Sequence, residues 1–336
     1  MGGQGGGHRG FGGLLLAAVV LLAAACWAGC GRQEPAKPAA QTTPAGATGP
    51  AGTIGVGVTI PPQAEFVRRV GGNHVRVTIL VKPGGNPHTY EPETQQVTEL
   101  ARVDVFFRIG VPFEDTLLKK LEGVNPSMRV VDTGQGIALR TMEVAEIKAE
   151  EAGERAEAGG APPVTEHESQ SRSEGNKDPH TWLDPNNVKI MAKNIADTLI
   201  QIDPAHADEY RANLAKYQAD LDELDAYIRS RCKDLKSHDF IVYHPAFGYF
   251  AKAYGLRQIP IEVEGKDPSP QTLAATIDFA RAHGIKVIFH EQQFSAKAAR
   301  AVAEGIGGKV VSVDDLAEDY IPNMRKVADA FVETLK

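Results

Sequence analysis

A short phrase containing a histidine occurs twice in this chain. The phrase reads PHTYEP at residues 87–92 and PHTWLDP at residues 179–185, so His88 and His180 stand in similar surroundings. In both copies prolines bracket the histidine, an aromatic residue follows two positions later, and a proline then stands where a helix can begin. Because imidazole nitrogens are common metal ligands, the two histidines are candidates for one metal site.

Further residues of metal-binding type follow apolar runs that are typical of buried strands. His244 comes directly after the run at residues 240–243, and Asp314 comes directly after the run at residues 310–313. An earlier apolar run leads into the loop of the first phrase. Open α/β sheets bind ligands at the carboxyl ends of their strands, so the pattern predicts that these side chains collect at one edge.

The predicted ligand set consists of three imidazoles and one carboxylate: His88, His180, His244 and Asp314. Nitrogen and oxygen donors in this ratio suit Zn²⁺ in four-coordination. Mn²⁺ is the alternative, although it usually takes more oxygen ligands. No cysteine pair is available in the body of the chain, so a thiolate site is not expected.

Three further residues are weaker candidates for the site. Glu91 could accept a hydrogen bond, cap a helix or bind the metal directly. His290 and Glu291 stand at the end of another apolar run, where they could line the cleft or orient ligands by hydrogen bonds. The remaining histidines are interpreted one by one as solvated or structural side chains: His8, His74, His167, His206, His238 and His283.

Strand and helix patterns alternate from Thr53 onward, which predicts an α/β fold with mainly parallel sheets. We divide this body into an N-terminal lobe at residues 53–203, a linker helix at residues 204–236 and a C-terminal lobe at residues 237–336. The linker has apolar residues at helical spacing, and a helix of about 30 residues would be about 45 Å long. Because one small domain does not require such a length, the helix is predicted to be a strut between the lobes.

Residues 1–30 are typical of an export signal. A weakly positive start precedes a short apolar run that ends in small residues and cysteines, as in bacterial lipoprotein signals. We expect the lipid on Cys30, with Cys26 as the alternative; an ordinary secretory signal is the competing interpretation. Residues 31–52 are rich in Pro, Ala, Gly and Thr, and are predicted to form a flexible tether. The protein would then be exported to the periplasm or cell surface and held at a membrane by its lipid.

The charge of the chain excludes one broad class of function. The net charge is −7, so an extended nucleic-acid-binding surface is not expected. Most of the excess lies at residues 145–178, which hold nine acidic and four basic residues. This segment has few apolar residues, and it is therefore predicted to be a mobile acidic surface loop.

Together these motifs resemble those of the zinc/manganese-type substrate-binding proteins of ABC importers, known as solute-binding family 9 or cluster A-I. The resemblance covers residues 53–336. It rests on four motifs in a fixed order: NPHTYEP at 86–92, DPHTWLDP at 178–185, HPAFGYF at 244–250 with YGL at 254–256, and EQQFS at 291–295 followed by VD at 313–314.

The resemblance implies two Rossmann-like lobes joined by a long rigid helix, with one metal ion bound in the cleft between them. The matching ligand positions are His88, His180, His244 and Asp314. Histidine rather than glutamate at the third position favours Zn²⁺ over Mn²⁺ in such proteins. The resemblance also implies a monomeric extracytoplasmic receptor that passes its metal to an ABC permease. Many zinc-type members carry a histidine-rich loop before the second motif, whereas the acidic segment here contains only His167.

Two other classes of function compete with a transport receptor. A zinc hydrolase would usually keep one coordination position open for water, with Glu91 or Glu291 as the candidate base. An adhesin-like surface lipoprotein would hold a metal for structure only. Turnover of ester or peptide substrates would indicate the hydrolase, and a metal that leaves only on unfolding would indicate the structural role. The favoured interpretation assigns no catalytic residue.

Overall fold

The described part of the protein contains two sheets of the same design. The computed structural model describes residues 52–142, 177–262 and 266–336. Each sheet has four parallel strands, in the order β2-β1-β3-β4 in the N-terminal lobe and β6-β5-β7-β8 in the C-terminal lobe. The strand order reverses beside β1 and beside β5, and ligands of open α/β sheets bind outside such switch points. The predicted α/β fold with two parallel-sheet lobes is confirmed.

The N-terminal lobe alternates strands and helices as its sequence predicts. A 3₁₀ turn at Gly72–His74 joins its first helix to its second strand. The elements are β1 (Ile54–Val58), α1 (Pro61–Gly71), β2 (Val75–Ile79), α2 (Thr94–Leu100), β3 (Val105–Arg108), α3 (Phe113–Val124) and β4 (Arg129–Asp132).

Two consecutive helices follow the N-terminal sheet, and the second leads to the C-terminal lobe. The first, α4 (Pro185–Ile202), begins where the Asp184 carboxylate accepts a hydrogen bond from the backbone N–H of Asn186, which is an ordinary N-cap. The second, α5 (Ala207–Arg231), has 25 residues and is about 37 Å long at 1.5 Å per residue. It is shorter than the pattern at residues 204–236 predicts, because a 3₁₀ turn precedes it and the last residues of the pattern lie beyond its end.

The C-terminal lobe repeats the alternation. Its first helix ends at Gly255, which has a φ of 71° and forms a left-handed cap that favours glycine. The elements are β5 (Asp239–Val242), α6 (Gly248–Tyr254), β6 (Arg257–Pro260), α7 (Pro270–Ala282), β7 (Val287–Glu291), α8 (Lys297–Gly305), β8 (Lys309–Val313) and α9 (Tyr320–Leu335).

The largest of three hydrophobic core clusters among the described residues contains buried side chains of both lobes. The Trp182 indole, which precedes α4, donates a 2.7 Å hydrogen bond to the backbone oxygen of Asp315 after β8. The Tyr320 hydroxyl donates a 2.8 Å hydrogen bond to the backbone oxygen of Trp182. The Tyr320 ring packs edge to face against Phe66 of α1, with ring centroids 5.2 Å apart. Because these aromatic side chains are buried, the contacts fix the lobes against each other.

Helix α5 contacts both lobes. On one side the Asn213 amide donates to the backbone oxygen of Val70 at the end of α1. On the other side Tyr227 and Arg231 both donate to the Asp329 carboxylate of α9. The helix therefore has the contacts expected of a strut.

Several predicted features lie outside the described residues. These are the export signal with Cys26 and Cys30, and almost all of both the tether and the acidic segment. Among the residues that the structure does describe, no helix is both long enough and apolar enough to cross a membrane. The third cysteine, Cys232, is buried at the end of α5, and burial raises the pKa of its thiol.

Candidate metal centre

Three imidazoles from separate parts of the chain converge on one point. His88 lies in the loop after β2, His180 precedes α4, and His244 directly follows Tyr243 beyond β5. Their Nε2 atoms are 3.1 Å (His88 to His180), 3.2 Å (His88 to His244) and 3.1 Å (His180 to His244) apart. The sequence named all three, and the structure brings them together.

The spacing of these nitrogens matches a metal site. A tetrahedral zinc with bonds of about 2.0–2.1 Å separates its nitrogen ligands by about 3.3–3.4 Å. The ring planes are inclined to one another by 51° to 73°, so the rings meet at their edges and do not stack. His180 is 1% exposed and His244 is 3% exposed, whereas His88 is half-buried. The point of convergence is therefore reached from the side of His88.

Two buried carboxylates set the orientation of two of these rings. Asp178 Oδ1 lies 2.8 Å from Nδ1 of His180 and 3.0 Å from its backbone nitrogen. Glu262 Oε2 lies 3.1 Å from Nδ1 of His244. Because an ionised carboxylate can only accept, each Nδ1 must donate, which leaves the Nε2 lone pairs free for a metal. The Arg140 guanidinium lies 3.4 Å from the other oxygen of Asp178 and forms an ion pair with it.

Burial favours the neutral form of two of these imidazoles, His88 and His244. It holds the pKa of His88 well below the ordinary value of 6.5, and the neighbouring rings of His180 and His244 lower it further. Burial also lowers the pKa of His244, although the hydrogen bond to Glu262 opposes the shift. Neutral imidazole is the form that binds metals, so both side chains are ready to act as ligands at neutral pH.

The structure does not bring Asp314 into this group. The histidine nitrogens all lie within 4.8 Å of one another, and the carboxylate oxygens of Asp314 are not part of that set. Asp314 instead accepts hydrogen bonds from the side-chain amides of Gln292, at 2.9 Å, and Gln293, at 3.4 Å. It also caps the backbone N–H of Leu316 at 2.9 Å. These bonds hold the carboxylate at the edge of the cleft.

The three weaker candidates occupy different surroundings. Glu91 is exposed and lines a cavity of about 510 Å³ beside His88. His290 is buried, and its Nε2 lies 3.0 Å from the backbone oxygen of Phe294, to which it donates. Glu291 is fully buried behind the cluster, where it accepts a 3.2 Å hydrogen bond from the backbone N–H of His244. Burial first, and then the nearby Asp315 carboxylate, raises the pKa of Glu291 well above its ordinary value.

Sequence reasoning missed three residues that touch the cluster. Asp178 stands two positions before His180 inside a quoted motif, so its role as a hydrogen-bond acceptor could have been inferred from that spacing. Glu262 follows β6, the strand beside β5, and a prediction of strand order would have placed it next to His244. Phe294 stacks on the His244 ring at 4.6 Å, and nothing in its local sequence indicates that contact.

The fold and the site define a class of protein: a two-lobed α/β protein with a buried set of nitrogen donors between its lobes. Residues 56–334 match the family described as "ZnuA: Zinc-uptake complex component A periplasmic". Because this match covers most of the chain, the protein belongs to that family.

Individual relatives agree with the family assignment. The chain is 29% identical over 285 residues to "Zinc-binding protein AdcA" of Streptococcus pyogenes serotype M3, covering 81% of this chain but 54% of the relative. The chain thus spans about half the length of that curated relative. It is 29% identical over 297 residues to "High-affinity zinc uptake system protein ZnuA" of Bacillus subtilis, covering 83% and 87% of the two chains. A solved structure titled "Crystal structure of ZnuA" is 37% identical, with a TM-score of 0.74, and covers 84% of this chain and 100% of that one.

Proposed function

We propose that this protein is an extracytoplasmic receptor that binds Zn²⁺ and delivers it to an ABC permease. The observation that carries the proposal is the convergence of three buried or half-buried imidazoles within 3.2 Å of one another. Three neutral nitrogens that face one another at this distance are stabilised when a cation lies between them. The names of the AdcA and ZnuA relatives, which describe zinc binding and zinc uptake, support the same cargo.

The proposed ligands are His88, His180 and His244, with Asp314 as the fourth. Asp314 would have to exchange its hydrogen bonds from the side-chain amides of Gln292 and Gln293 for a bond to the metal. Its backbone already lies just beyond the carboxyl end of β8, on the same sheet edge as His244. Rotation of one side chain would then complete a set of three nitrogens and one oxygen.

The donor set favours Zn²⁺ over Mn²⁺. Three imidazoles and one carboxylate match the four-coordinate geometry of zinc. Manganese prefers a larger share of oxygen ligands. The nearby carboxylates of Asp178 and Glu262 are engaged by ring Nδ1 atoms, so they do not supply additional oxygens.

Release of the metal is proposed to depend on the loop of His88 and not on wide opening of the lobes. The lobes share a core, and α5 is bonded to both of them. The His88 loop, in contrast, is largely exposed, and it turns at Gly84, whose φ of 81° favours glycine. Small-angle scattering of the metal-free and zinc-loaded protein should therefore differ little, and a large closure on binding would contradict this route.

The remaining parts of the proposal concern location and partners. Export, a lipid on Cys30 or Cys26, and a position near a membrane surface are proposed from the sequence features at the N-terminus, and a monomeric body from the family resemblance. If Asp314 joins the three histidines, the hydrolase alternative is disfavoured, because four protein ligands would leave zinc no open position for water.

Competitive titration tests the proposal. Zn²⁺ and Mn²⁺ would each be titrated into the metal-free, full-length chain against a chelator of known affinity. The protein, the His244→Ala variant and a control, His238→Ala, in which an exposed histidine is removed, would be compared. One tight Zn²⁺ site that His244→Ala weakens and His238→Ala retains supports the proposal. Preference for Mn²⁺, or no tight site for either metal, overturns it.

A further inference from the structure

A second set of side chains that could bind a metal lies beside the end of α1 and the start of α5, separate from the cleft histidines. His74, His206 and Glu209 each offer one ligand atom, and these atoms all lie within 4.8 Å of one another. His74 ends the turn after α1, His206 ends the turn before α5, and Glu209 lies in the first turn of α5. The two histidines are 132 positions apart, so no sequence motif links them.

The His206 ring is oriented by a carboxylate, as the cleft histidines are. Nδ1 of His206 lies 2.6 Å from Oδ2 of Asp203, and the Tyr210 hydroxyl donates to the same oxygen at 2.8 Å. Because this carboxylate oxygen accepts from both groups, Nδ1 of His206 is the donor and the lone pair of Nε2 is available.

The other two donors already touch. Nε2 of His74 lies 2.8 Å from Oε2 of Glu209, and the rings of His74 and His206 stack with centroids 3.8 Å apart at 24°. Near-parallel rings do not aim their lone pairs at one point, so a bound ion requires one ring to turn. The side chains have room for this movement, since their exposed fractions are 23% for His74, 63% for Glu209 and 37% for His206.

We propose that His74, His206 and Glu209 form a second, weaker binding site for a divalent cation of the Zn²⁺ type. Two imidazoles and one carboxylate are a known zinc donor set, and the exposed side of the cluster leaves a position for water. The backbones at the site are held close, because Asn213 of α5 bonds to Val70 near the end of α1. A bound ion would join the turn after α1 to the turn before α5, and it would therefore stabilise the folded chain.

The test is the number of zinc ions bound per chain. Equilibrium dialysis of the full-length chain against micromolar Zn²⁺ should give two ions in the unmodified protein and one in His206→Gln and in His74→Gln. His283→Gln should keep two ions, because His283 is not part of either cluster. It is a matched control, since His283 is also an exposed histidine stacked on an aromatic ring, with its centroid 3.9 Å from that of Phe279. If a histidine variant fails to fold, Glu209→Gln on the exposed side should show the same loss.

The test separates this site from the cleft site. His244→Ala should remove the tight ion and leave the second, whose addition should still raise the unfolding temperature. One ion in the unmodified protein would overturn the second site, and so would two ions in the variants of His74, His206 and Glu209. Equal loss in His283→Gln would indicate adventitious surface binding and would also overturn it.

Discussion

The two histidine clusters found among the described residues both contain a carboxylate that orients an imidazole ring, but they differ in ring inclination and in burial. In both, a carboxylate accepts from Nδ1 of a histidine and leaves Nε2 free: Asp178 for His180, and Asp203 for His206. In the cleft, however, the rings come from both lobes, are inclined by more than 50° and are largely buried. In the second cluster, two rings stack near-parallel in a half-exposed position.

This difference shows which features prepare a site for tight binding. A hydrogen-bonded carboxylate sets the tautomer, and it does so in both places. Only in the cleft do the ring nitrogens lie at metal-ligand spacing, and there burial lowers the pKa of His88 and His244. The second cluster must turn a ring and order exposed side chains, and that cost lowers affinity. We therefore expect a tight site and a weak one.

The largest effect is expected from loss of a cleft ligand. His180→Ala removes one of three preformed nitrogens, so it should weaken tight Zn²⁺ binding by more than about 100-fold, since loss of an orienting partner alone costs about 10–100-fold. His206→Ala should leave the tight affinity unchanged. Chelator competition measures both, and equal losses in the two variants would remove the distinction between the clusters.

A smaller effect is expected from the carboxylate behind His180. Asp178→Asn keeps the shape of the side chain but replaces an obligate acceptor with an amide, which can pair with the wrong tautomer of the ring. Zn²⁺ affinity should fall by about 10–100-fold. Asp203→Asn is the matched change in the second cluster, and it should affect only the second ion. Unchanged tight binding in Asp178→Asn would show that the tautomer is set in another way.

The effect of Asp314 should be smaller still. Its carboxylate must leave the amides of Gln292 and Gln293 before it can reach the metal, and water can take its place in the variant. Asp314→Ala should therefore weaken Zn²⁺ binding by less than the about 10–100-fold expected for loss of an orienting partner. Isothermal titration against a competing chelator would measure the change. An affinity equal to that of the unmodified protein would remove Asp314 from the ligand set.

The smallest effect concerns acid stability of the metal-free protein. Burial lowers the pKa of His88 and His244 below 6.5, so the unfolded chain binds more protons than the folded chain between the lowered values and about 6.5. Folding stability should therefore rise with pH through that window and be lost as the pH falls, by at most about 1.4 kcal/mol per pH unit for each group.

Denaturant unfolding at several pH values would check this slope. His88→Gln should flatten it, because glutamine does not titrate, whereas His238→Gln removes an exposed histidine and should leave the slope as it is. A slope that His88→Gln does not change would mean that burial of this ring has no influence on acid stability.

The sequence predicts the fold and the cleft histidines because both depend on local patterns. Apolar runs followed by loops locate the strands, and parallel strands end at one edge, which places His244 correctly. The linker helix predicted at residues 204–236 is observed at Ala207–Arg231, because a 3₁₀ turn precedes it and the last residues of the pattern lie beyond its end. Such boundaries depend on tertiary contacts that no local pattern contains.

Contacts between distant residues could not be predicted in the same way. Glu262 meets His244 only because β6 pairs with β5, and His74 meets His206 only because α1 and α5 pack side by side. The side-chain rotamer of Asp314 depends on two glutamines that follow another strand. A sequence lists these residues, but their partners follow from the packing of the whole chain.

The most direct test of the central claim is to locate one zinc ion by anomalous diffraction. Crystals of the full-length protein loaded with one equivalent of Zn²⁺ would be measured at the zinc absorption edge. One strong peak is expected about 2.0–2.1 Å from the Nε2 atoms of His88, His180 and His244. A peak at His74 and His206 with none in the cleft, or no ordered peak, would contradict it.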